Sequence, residues 1–314
     1  MSQPERLSKL AVSPDEAAAA LLQALNFSQR LPGMSAQDQV TMAIALSRDE
    51  PYALGADSRR PEAAPRGTVT QQQWSGSRLY PDTTRDWWVY VPAQLDAAMP
   101  APLMVFQDGA RYLGPEADVP AVFDTLIAAG EMAPTIGLFV NPGYKGPGLP
   151  LWGGSDNRSI EYDSLGDTYA RFLVEELIPQ VAQGHRLSSD PTERAICGLS
   201  SGGICAFNAA WERPDAFSKV VSHCGSFVDI RGGHALAPTV RRGPARPLRV
   251  FLQTGTQDLD VVFGHWVHAN RDLAAALAYQ GIEHRLVVGE GGHSLKHGGA
   301  IFPDTLRWLW RRTS

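Results

Sequence analysis

Apolar segments that alternate with helical segments run through the chain from about residue 68 onwards. Strands are predicted at residues 68–74, 86–92, 103–107, 135–141, 194–197, 219–223, 249–253 and 284–288. Helices are predicted between them at residues 121–129, 167–183, 203–211 and 266–279. Apolar strands separated by helices are typical of a mainly parallel sheet with helices on both faces. The loops that carry chemistry in such a sheet lie at the carboxyl ends of the strands. These loops are residues 107–112, 141–163, 198–203, 254–260 and 289–297.

Charge and composition exclude several classes of protein. The 314 residues carry a formal net charge of −5, which argues against nucleic acid and against an anionic membrane surface as partners. No apolar run reaches the ~18 residues of a membrane span. The first residues, MSQPERLSKLAVSPDE, carry acids and proline where a secretory signal has an apolar core, so a cytoplasmic protein is expected. Three cysteines without C-x-x-C spacing predict neither a disulfide framework nor a thiolate zinc site.

The N-terminal region has a different pattern from the rest of the chain. Residues 1–60 are expected to form a helical extension and a linker, ahead of a single domain at residues 61–314. A capping box at residues 13–16 predicts one helix, and Ser35 is the predicted N-cap of a second helix over residues 36–46. The polar, proline-rich stretch 55–67 is predicted to be the linker. Whether the chain forms a homo-oligomer is left open.

One pentapeptide, GLSSG at residues 198–202, has the pattern G-x-S-x-G and lies between a predicted strand and a predicted helix. That position is typical of a nucleophile elbow, in which the serine stands on a tight strand-to-helix turn. The alternative is a turn of small residues that only packs a helix on a sheet. We interpret Ser200 as a nucleophile, because residues further along the chain can supply the base and the acid that a serine needs.

Candidate partners of Ser200 follow it in the order acid, then histidine, which is the order in α/β-hydrolases. Asp258 and Asp260 follow the strand at 249–253, and His293 follows the strand at 284–288 after two glycines. We expect the glycine pair to let this loop approach the serine closely. His297 is the competitor, and a zinc site of His293 and His297 is the metal alternative. That alternative is disfavoured, since the intervening glutamate of a metalloprotease helix is missing, so we expect no metal and no cofactor.

An oxyanion hole requires two backbone N–H donors. The first is expected from Ser201, which follows the nucleophile. The second is expected from the loop after the strand at 103–107, at Gly109 or Ala110. The sequence does not distinguish Gly109 from Ala110 as the second donor.

Four segments together resemble the esterase D group of α/β-hydrolases, and within it the enterochelin-esterase-type esterases. They are FQDGARY, NRSIEYDSLGDTYARFLVEELIPQV, ICGLSSGGICAFNAAWERPDAF and FLQTGTQDLD…GEGGHSLKHGG. The resemblance, from roughly residue 52 to residue 310, implies an α/β-hydrolase core with Ser200, His293 and Asp258 at the matching catalytic positions. The family's aspartate favours Asp258 over Asp260. Relatives in the wider group act on siderophore, feruloyl, acetylxylan and thiol esters, and some are acyltransferases.

The resemblance also implies residues at the wall of the site. Arg158 and Glu161 match an R-x-x-E stretch of enterochelin esterases and are expected to contact substrate; the alternative is an Arg158–Glu161 pair that only supports its loop. Tyr112, Trp152 and Trp266 are aromatic residues in or beside the predicted loops, where they could stack on an aryl or sugar group or simply pack.

The function predicted from the sequence is carboxylic ester hydrolysis, on a small-molecule aryl, hydroxycinnamoyl, sugar or siderophore-type ester. An acyl-enzyme on Ser200 would be its intermediate. Acyl transfer on the same fold is the first alternative, in which an alcohol replaces water. A non-catalytic binding protein is the second. The presence of serine, acid and histidine in the right order argues against it, because a binding scaffold does not need all three.

Overall fold

The computed structural model describes residues 35–47, 50–146 and 157–311. At its centre is an eight-stranded sheet with the order β1-β2-β4-β3-β5-β6-β7-β10, and a two-stranded ribbon, β8-β9, lies apart from it. The strands are β1 Thr68–Trp74, β2 Arg85–Val91, β3 Leu103–Gln107, β4 Ile136–Val140, β5 Arg194–Leu199, β6 Lys219–His223, β7 Arg249–Gly255, β8 Asp260–Val261, β9 Gly264–His265 and β10 Glu283–Gly289. The fold is that of an α/β-hydrolase, as the sequence predicts.

Helices connect the strands and cover the sheet. They are α1 Ala36–Ser47, α2 Gly109–Tyr112, α3 Val119–Ala128, α4 Asn157–Tyr162, α5 Thr168–Arg171, α6 Ile178–Ala182, α7 Ser201–Glu212, α8 Leu236–Arg242, α9 Trp266–Tyr279, α10 Lys296–Ala300 and α11 Phe302–Trp310. A π-helical stretch, Phe172–Leu177, joins α5 to α6, so the single helix predicted at 167–183 is interrupted in hydrogen-bond pattern but continuous in path. The described helices are all too short or too polar to cross a membrane.

The sheet is parallel except at one edge. From β4 through β3, β5, β6 and β7 to β10 every pairing is parallel, whereas β1 pairs antiparallel with β2 and β2 pairs antiparallel with β4. The register aligns Leu199 with His223, His223 with Gln253, and Gly255 with Gly289. The loops after β5, β6, β7 and β10 therefore begin at one edge of the sheet, which brings residues far apart in sequence together there.

Both faces of the sheet are buried, because successive side chains of a strand point to opposite faces. In β3, Leu103 and Val105 belong to one apolar cluster, while Met104 and Phe106 belong to the other. Helices α5 to α9 cover the first face, and α2, α3 and α11 cover the second. At about 25 cal/mol per Å² of apolar surface, these two layers are the main source of stability.

Helix α1 begins as the sequence predicts. The Ser35 hydroxyl accepts a hydrogen bond from the Asp38 N–H at 3.1 Å, and the Asp38 carboxylate accepts one from the Ser35 N–H at 2.9 Å. This is the reciprocal arrangement of a capping box. The hydrogen bonds from Ser35 lower the pKa of Asp38. The capping box predicted at residues 13–16 lies outside the described residues.

Candidate active site

Ser200 stands between β5 and α7 with φ 61° and ψ −121°. A positive φ is uncommon for a non-glycine residue and costs about 1–3 kcal/mol. Two glycines make the turn fit: a Cβ on Gly198 would lie 2.1 Å from the Gly202 carbonyl oxygen, and one on Gly202 would lie 3.2 Å from Gln107 Cβ. The G-x-S-x-G pattern thus has a steric reason, and its geometry is that of a nucleophile elbow.

The loops after β7 and β10 bring Asp258 and His293 to Ser200. The Ser200 Oγ lies 2.8 Å from His293 Nε2, and His293 Nδ1 lies 2.6 Å from Asp258 Oδ1. Asp258 also accepts hydrogen bonds from the Leu259 N–H at 2.7 Å and the Thr254 hydroxyl at 2.6 Å. Because the carboxylate accepts at Nδ1, the imidazole presents an unprotonated Nε2 to the hydroxyl. The arrangement can therefore accept a proton from Ser200 as the hydroxyl attacks an electrophile.

Asp260, the alternative acid, is placed elsewhere. It is exposed in the ribbon strand β8, where it pairs with His265 of β9. His297, the alternative base, stacks its ring on Tyr52 with centroids 4.2 Å apart and makes a 3.1 Å hydrogen bond with Gln253 Nε2. Burial lowers the pKa of His297. The structure brings Asp258 and His293, and not Asp260 or His297, to Ser200.

The metal alternative, a zinc site of His293 and His297, requires that both histidines lie close to other side chains that can ligate an ion. Within the described ranges, the group of such side chains consists of Cys224, Asp258 and His293, whose ligand atoms lie within 4.8 Å of one another. His297 is not part of it. Burial raises the pKa of the Cys224 thiol well above its usual value, which favours the protonated form over the thiolate that binds zinc. The other two side chains, Asp258 and His293, are hydrogen-bonded to each other at 2.6 Å.

Ser226 contacts Ser200 directly, and Trp266 is linked to Ser200 through Ser226. The Ser226 hydroxyl lies 3.2 Å from Ser200 Oγ, and it accepts a hydrogen bond from the Trp266 indole N–H at 3.2 Å. Since that oxygen accepts from the indole, its own proton is available to Ser200. The Trp266 ring meets His293 edge to face, with centroids 5.9 Å apart. Ser226 follows β6, whose loop was not among those expected from the sequence to carry chemistry, although the rule for strand ends also applies to it.

The loop after β3 lies against the turn at Gly202 and contains Gly109 and Ala110, the two candidates for the second oxyanion donor. Asp108 has a left-handed backbone, φ 55°, and its carboxylate accepts two hydrogen bonds from the Arg158 guanidinium, at 2.8 and 2.6 Å. The Ala110 N–H donates to Asn141 Oδ1 at 3.1 Å. Gly109 is packed so tightly that a Cβ would lie 2.4 Å from the Val140 nitrogen. Ser201, the other predicted donor, is the first residue of α7.

The proposed wall residues Arg158 and Glu161 are both buried in ion pairs. Arg158 is 7% exposed and is paired with Asp108. Burial alone would lower the pKa of this arginine, but the Asp108 carboxylate raises that pKa above its usual value. Glu161, 1% exposed, accepts two hydrogen bonds from Arg85 at 2.8 and 2.9 Å. The structure therefore corrects the expectation that these two residues contact substrate. Each supports a loop through its own buried partner, Asp108 for Arg158 and Arg85 for Glu161.

The structure describes two of the three aromatic residues that were expected at the wall of the site, Tyr112 and Trp266. Tyr112 is fully buried and its hydroxyl lies 2.9 Å from His223 Nδ1, so the expectation that it stacks on substrate is wrong. Burial lowers the pKa of His223 to about 3, which keeps this imidazole neutral. Trp266 is next to His293 but only 2% exposed, so the ring mainly packs. Trp152 lies outside the described residues.

Comparisons with known proteins find esterases among the relatives of this chain. The iron(III) enterobactin esterase of Dickeya dadantii (strain 3937) is 27% identical over an alignment of 304 positions that covers 85% of this chain and 65% of that protein. The ferric enterobactin esterase of Salmonella typhimurium superposes with a TM-score of 0.66 at 23% identity, over 83% of this chain and 62% of that one. A ferulic acid esterase superposes with a TM-score of 0.61 at 19% identity, over 78% and 98% of the two chains.

The enterobactin esterases are longer proteins, and this chain spans just under two thirds of their length. The structural likenesses, at these identities, establish the fold. The sequence profile of the Esterase family matches residues 80–309, which include the elbow and both of its partner loops. The chain belongs to the Esterase family.

Proposed function

We propose that this protein is a serine carboxylic ester hydrolase, with Ser200 as nucleophile, His293 as general base and Asp258 as the acid that orients it. One observation carries the proposal: the unbroken line of hydrogen bonds from Ser200 Oγ to His293 Nε2 and from His293 Nδ1 to Asp258, at 2.8 and 2.6 Å, with the serine on a nucleophile elbow. Membership of the Esterase family supports the same chemistry.

In the first half of the reaction, Ser200 Oγ attacks the ester carbonyl carbon while His293 Nε2 accepts its proton. The imidazolium that forms is stabilised by Asp258, which stays ionised. The carbonyl oxygen becomes an oxyanion, for which we infer the Ser201 N–H and the Gly109 N–H as donors, because the Ala110 N–H already donates to Asn141. His293 then protonates the leaving alcohol, and the acyl group remains on Ser200.

In the second half, water takes the place of the alcohol. His293 removes a proton from the water as it attacks the acyl-enzyme, and the same donors hold the second oxyanion. Returning the proton to Ser200 Oγ releases the acid. An alcohol in place of water would give acyl transfer, so the products distinguish the two outcomes.

The proposed substrates are aryl, hydroxycinnamoyl, sugar or siderophore-type esters. The names of the relatives support the aromatic end of this range, because one group acts on enterobactin and another on ferulic acid esters. The experiment is a panel that contains p-nitrophenyl esters of varied acyl length, methyl ferulate, acetylated sugars and a catecholate trilactone. Hydrolysis of at least one, abolished in Ser200→Ala, supports the proposal. A fluorophosphonate that fails to label wild-type protein would contradict it.

A further inference from the structure

The loop that carries His293 is hydrogen-bonded on both sides of that residue to the N-terminal segment, which the structure describes at residues 35–47 and 50–52. The Glu50 Oε1 accepts hydrogen bonds from the Gly292 N–H at 3.1 Å and from the Ser294 hydroxyl at 2.8 Å. The His293 N–H itself donates to the Ala45 carbonyl oxygen at 3.1 Å. Three consecutive residues, with the histidine in the middle, are thus held by groups more than 240 positions earlier in the chain.

The two glycines before His293 allow this contact. A Cβ on Gly292 would lie 2.3 Å from the Ala45 carbonyl oxygen, and one on Gly291 would lie 2.6 Å from the Glu50 carboxyl carbon. Gly291 also has φ +128°, a value that side chains rarely adopt. Any side chain at either position would push the loop away from the N-terminal segment.

Glu50 is only 8% exposed, which is unusual for a glutamate. Burying a carboxyl group is costly unless hydrogen bonds compensate, and here the loop of His293 supplies them. The same segment also packs against residues next to the site: Met42 and Ala45 form an apolar cluster with Leu259 and Trp266. The segment therefore touches the surroundings of both the acid and the base.

We propose that Glu50 is a positioning residue, whose carboxyl group fixes the backbone around His293 so that Nε2 remains at hydrogen-bond distance from Ser200 Oγ. The proposal rests on the proposed function of Ser200 and His293. It gives the segment before the family match a role in the reaction through the loop of His293, which Glu50 contacts at Gly292 and Ser294. A misplacement of about 1 Å in a catalytic group can cost on the order of 10²-fold in rate, so the orientation of one backbone loop matters.

The first test compares Glu50→Ala, Glu50→Gln and the control Glu62→Gln, an exposed glutamate on the linker. Turnover of p-nitrophenyl acetate is measured per active site, with sites counted by end-point titration with a fluorophosphonate. In Glu50→Ala, kcat per site should fall roughly 10- to 100-fold with KM within about two-fold. Glu50→Gln keeps one acceptor oxygen and should lose less, and Glu62→Gln should match the wild type. A merely structural role for Glu50 would lower the number of sites and leave kcat per site unchanged.

The second test does not depend on activity. Hydrogen exchange of the peptide that spans residues 289–297 should be faster in Glu50→Ala, because the Gly292 N–H loses its acceptor. Ser294→Ala removes one donor and gives the same readouts if Glu50→Ala does not fold. Unchanged exchange together with an unchanged kcat per site would overturn the proposal. Full activity in Ser200→Ala would instead refute the proposed function, and the exchange result would still report on Glu50.

Discussion

Replacing Asp258 by asparagine tests the assignment of the acid, and the expected loss of kcat can be worked out from the structure. In asparagine, an NH2 group takes the place of one of the two carboxylate oxygens. At the Oδ1 position it would face two N–H donors, those of His293 and Leu259; at the Oδ2 position it would face the Thr254 hydroxyl, which can rotate to accept. The carbonyl oxygen therefore stays toward His293, and the imidazole keeps its tautomer.

What Asp258→Asn removes is the negative charge beside the imidazolium of the transition state. Two unit charges about 4 Å apart interact by about 4 kcal/mol at an effective dielectric constant of about 20. At one decade of rate per ~1.36 kcal/mol, kcat should fall about 10³-fold. Asp258→Ala, which also removes the group that orients the ring, should cost at least ~10⁴, the cost of a wrong tautomer in a serine protease.

The assay is kcat on p-nitrophenyl acetate, corrected for active sites by fluorophosphonate titration. Asp260→Asn is the control, because Asp260 is exposed in β8 and only its backbone pairs with His265. It should stay within about two-fold of the wild type, as surface substitutions away from special contacts usually do. A larger loss in Asp260→Asn than in Asp258→Asn would refute the assignment. Equal losses in Asp258→Asn and Asp258→Ala would refute the argument about the tautomer.

Three further predictions concern the nucleophile, the base and a buried acid. Ser200→Ala should lower ester turnover by up to ~10⁶-fold, whereas Ser201→Ala keeps its backbone N–H and should have a small effect, both measured by initial rates. His293→Ala should be nearly as damaging as Ser200→Ala and His297→Ala much less so; inhibition by EDTA that zinc reverses would contradict the metal-free mechanism. Burial raises the pKa of Asp163 to about 6 from a usual 3.8, so the folded state loses stability as the pH rises through about 6. Asp163→Asn should therefore raise Tm more at about pH 8 than at about pH 4; an equal shift at both pH values would contradict this.

The buried strands were predictable because their apolar runs are continuous and each ends at a loop rich in glycine or polar residues. The predicted strands agree with β1 to β7 and β10 to within two residues at each end. The ribbon β8–β9 was missed, because two-residue strands have no periodicity to detect. Helices α2, α4, α8, α10 and α11 were also missed. Helix α10 contains two glycines in five residues, which lowers any expectation of a helix.

The wall of the site was predicted less well than its centre. Ser200, Asp258 and His293 follow strand ends, and the rule for parallel sheets applies to such positions directly. Arg158 and Glu161 were assigned from a short segment, but sequence does not show whether a charged side chain faces a ligand or a buried partner. Their partners, Asp108 and Arg85, lie 50 and 76 positions away, so only the folded chain could identify them.

The glycine pair before His293 illustrates the limit of inference from local sequence. Two glycines beside a candidate catalytic residue indicate that another group comes close, and the neighbour expected from the sequence was Ser200. The structure places Ala45 and Glu50 there instead, while His293 reaches Ser200 with its side chain. Steric freedom at a loop is a local property, but the identity of the neighbour is a property of the whole fold. The proposed catalytic centre could be predicted from strand ends, whereas the proposed orientation of its base by Glu50 depends on a segment that precedes the family's matched region.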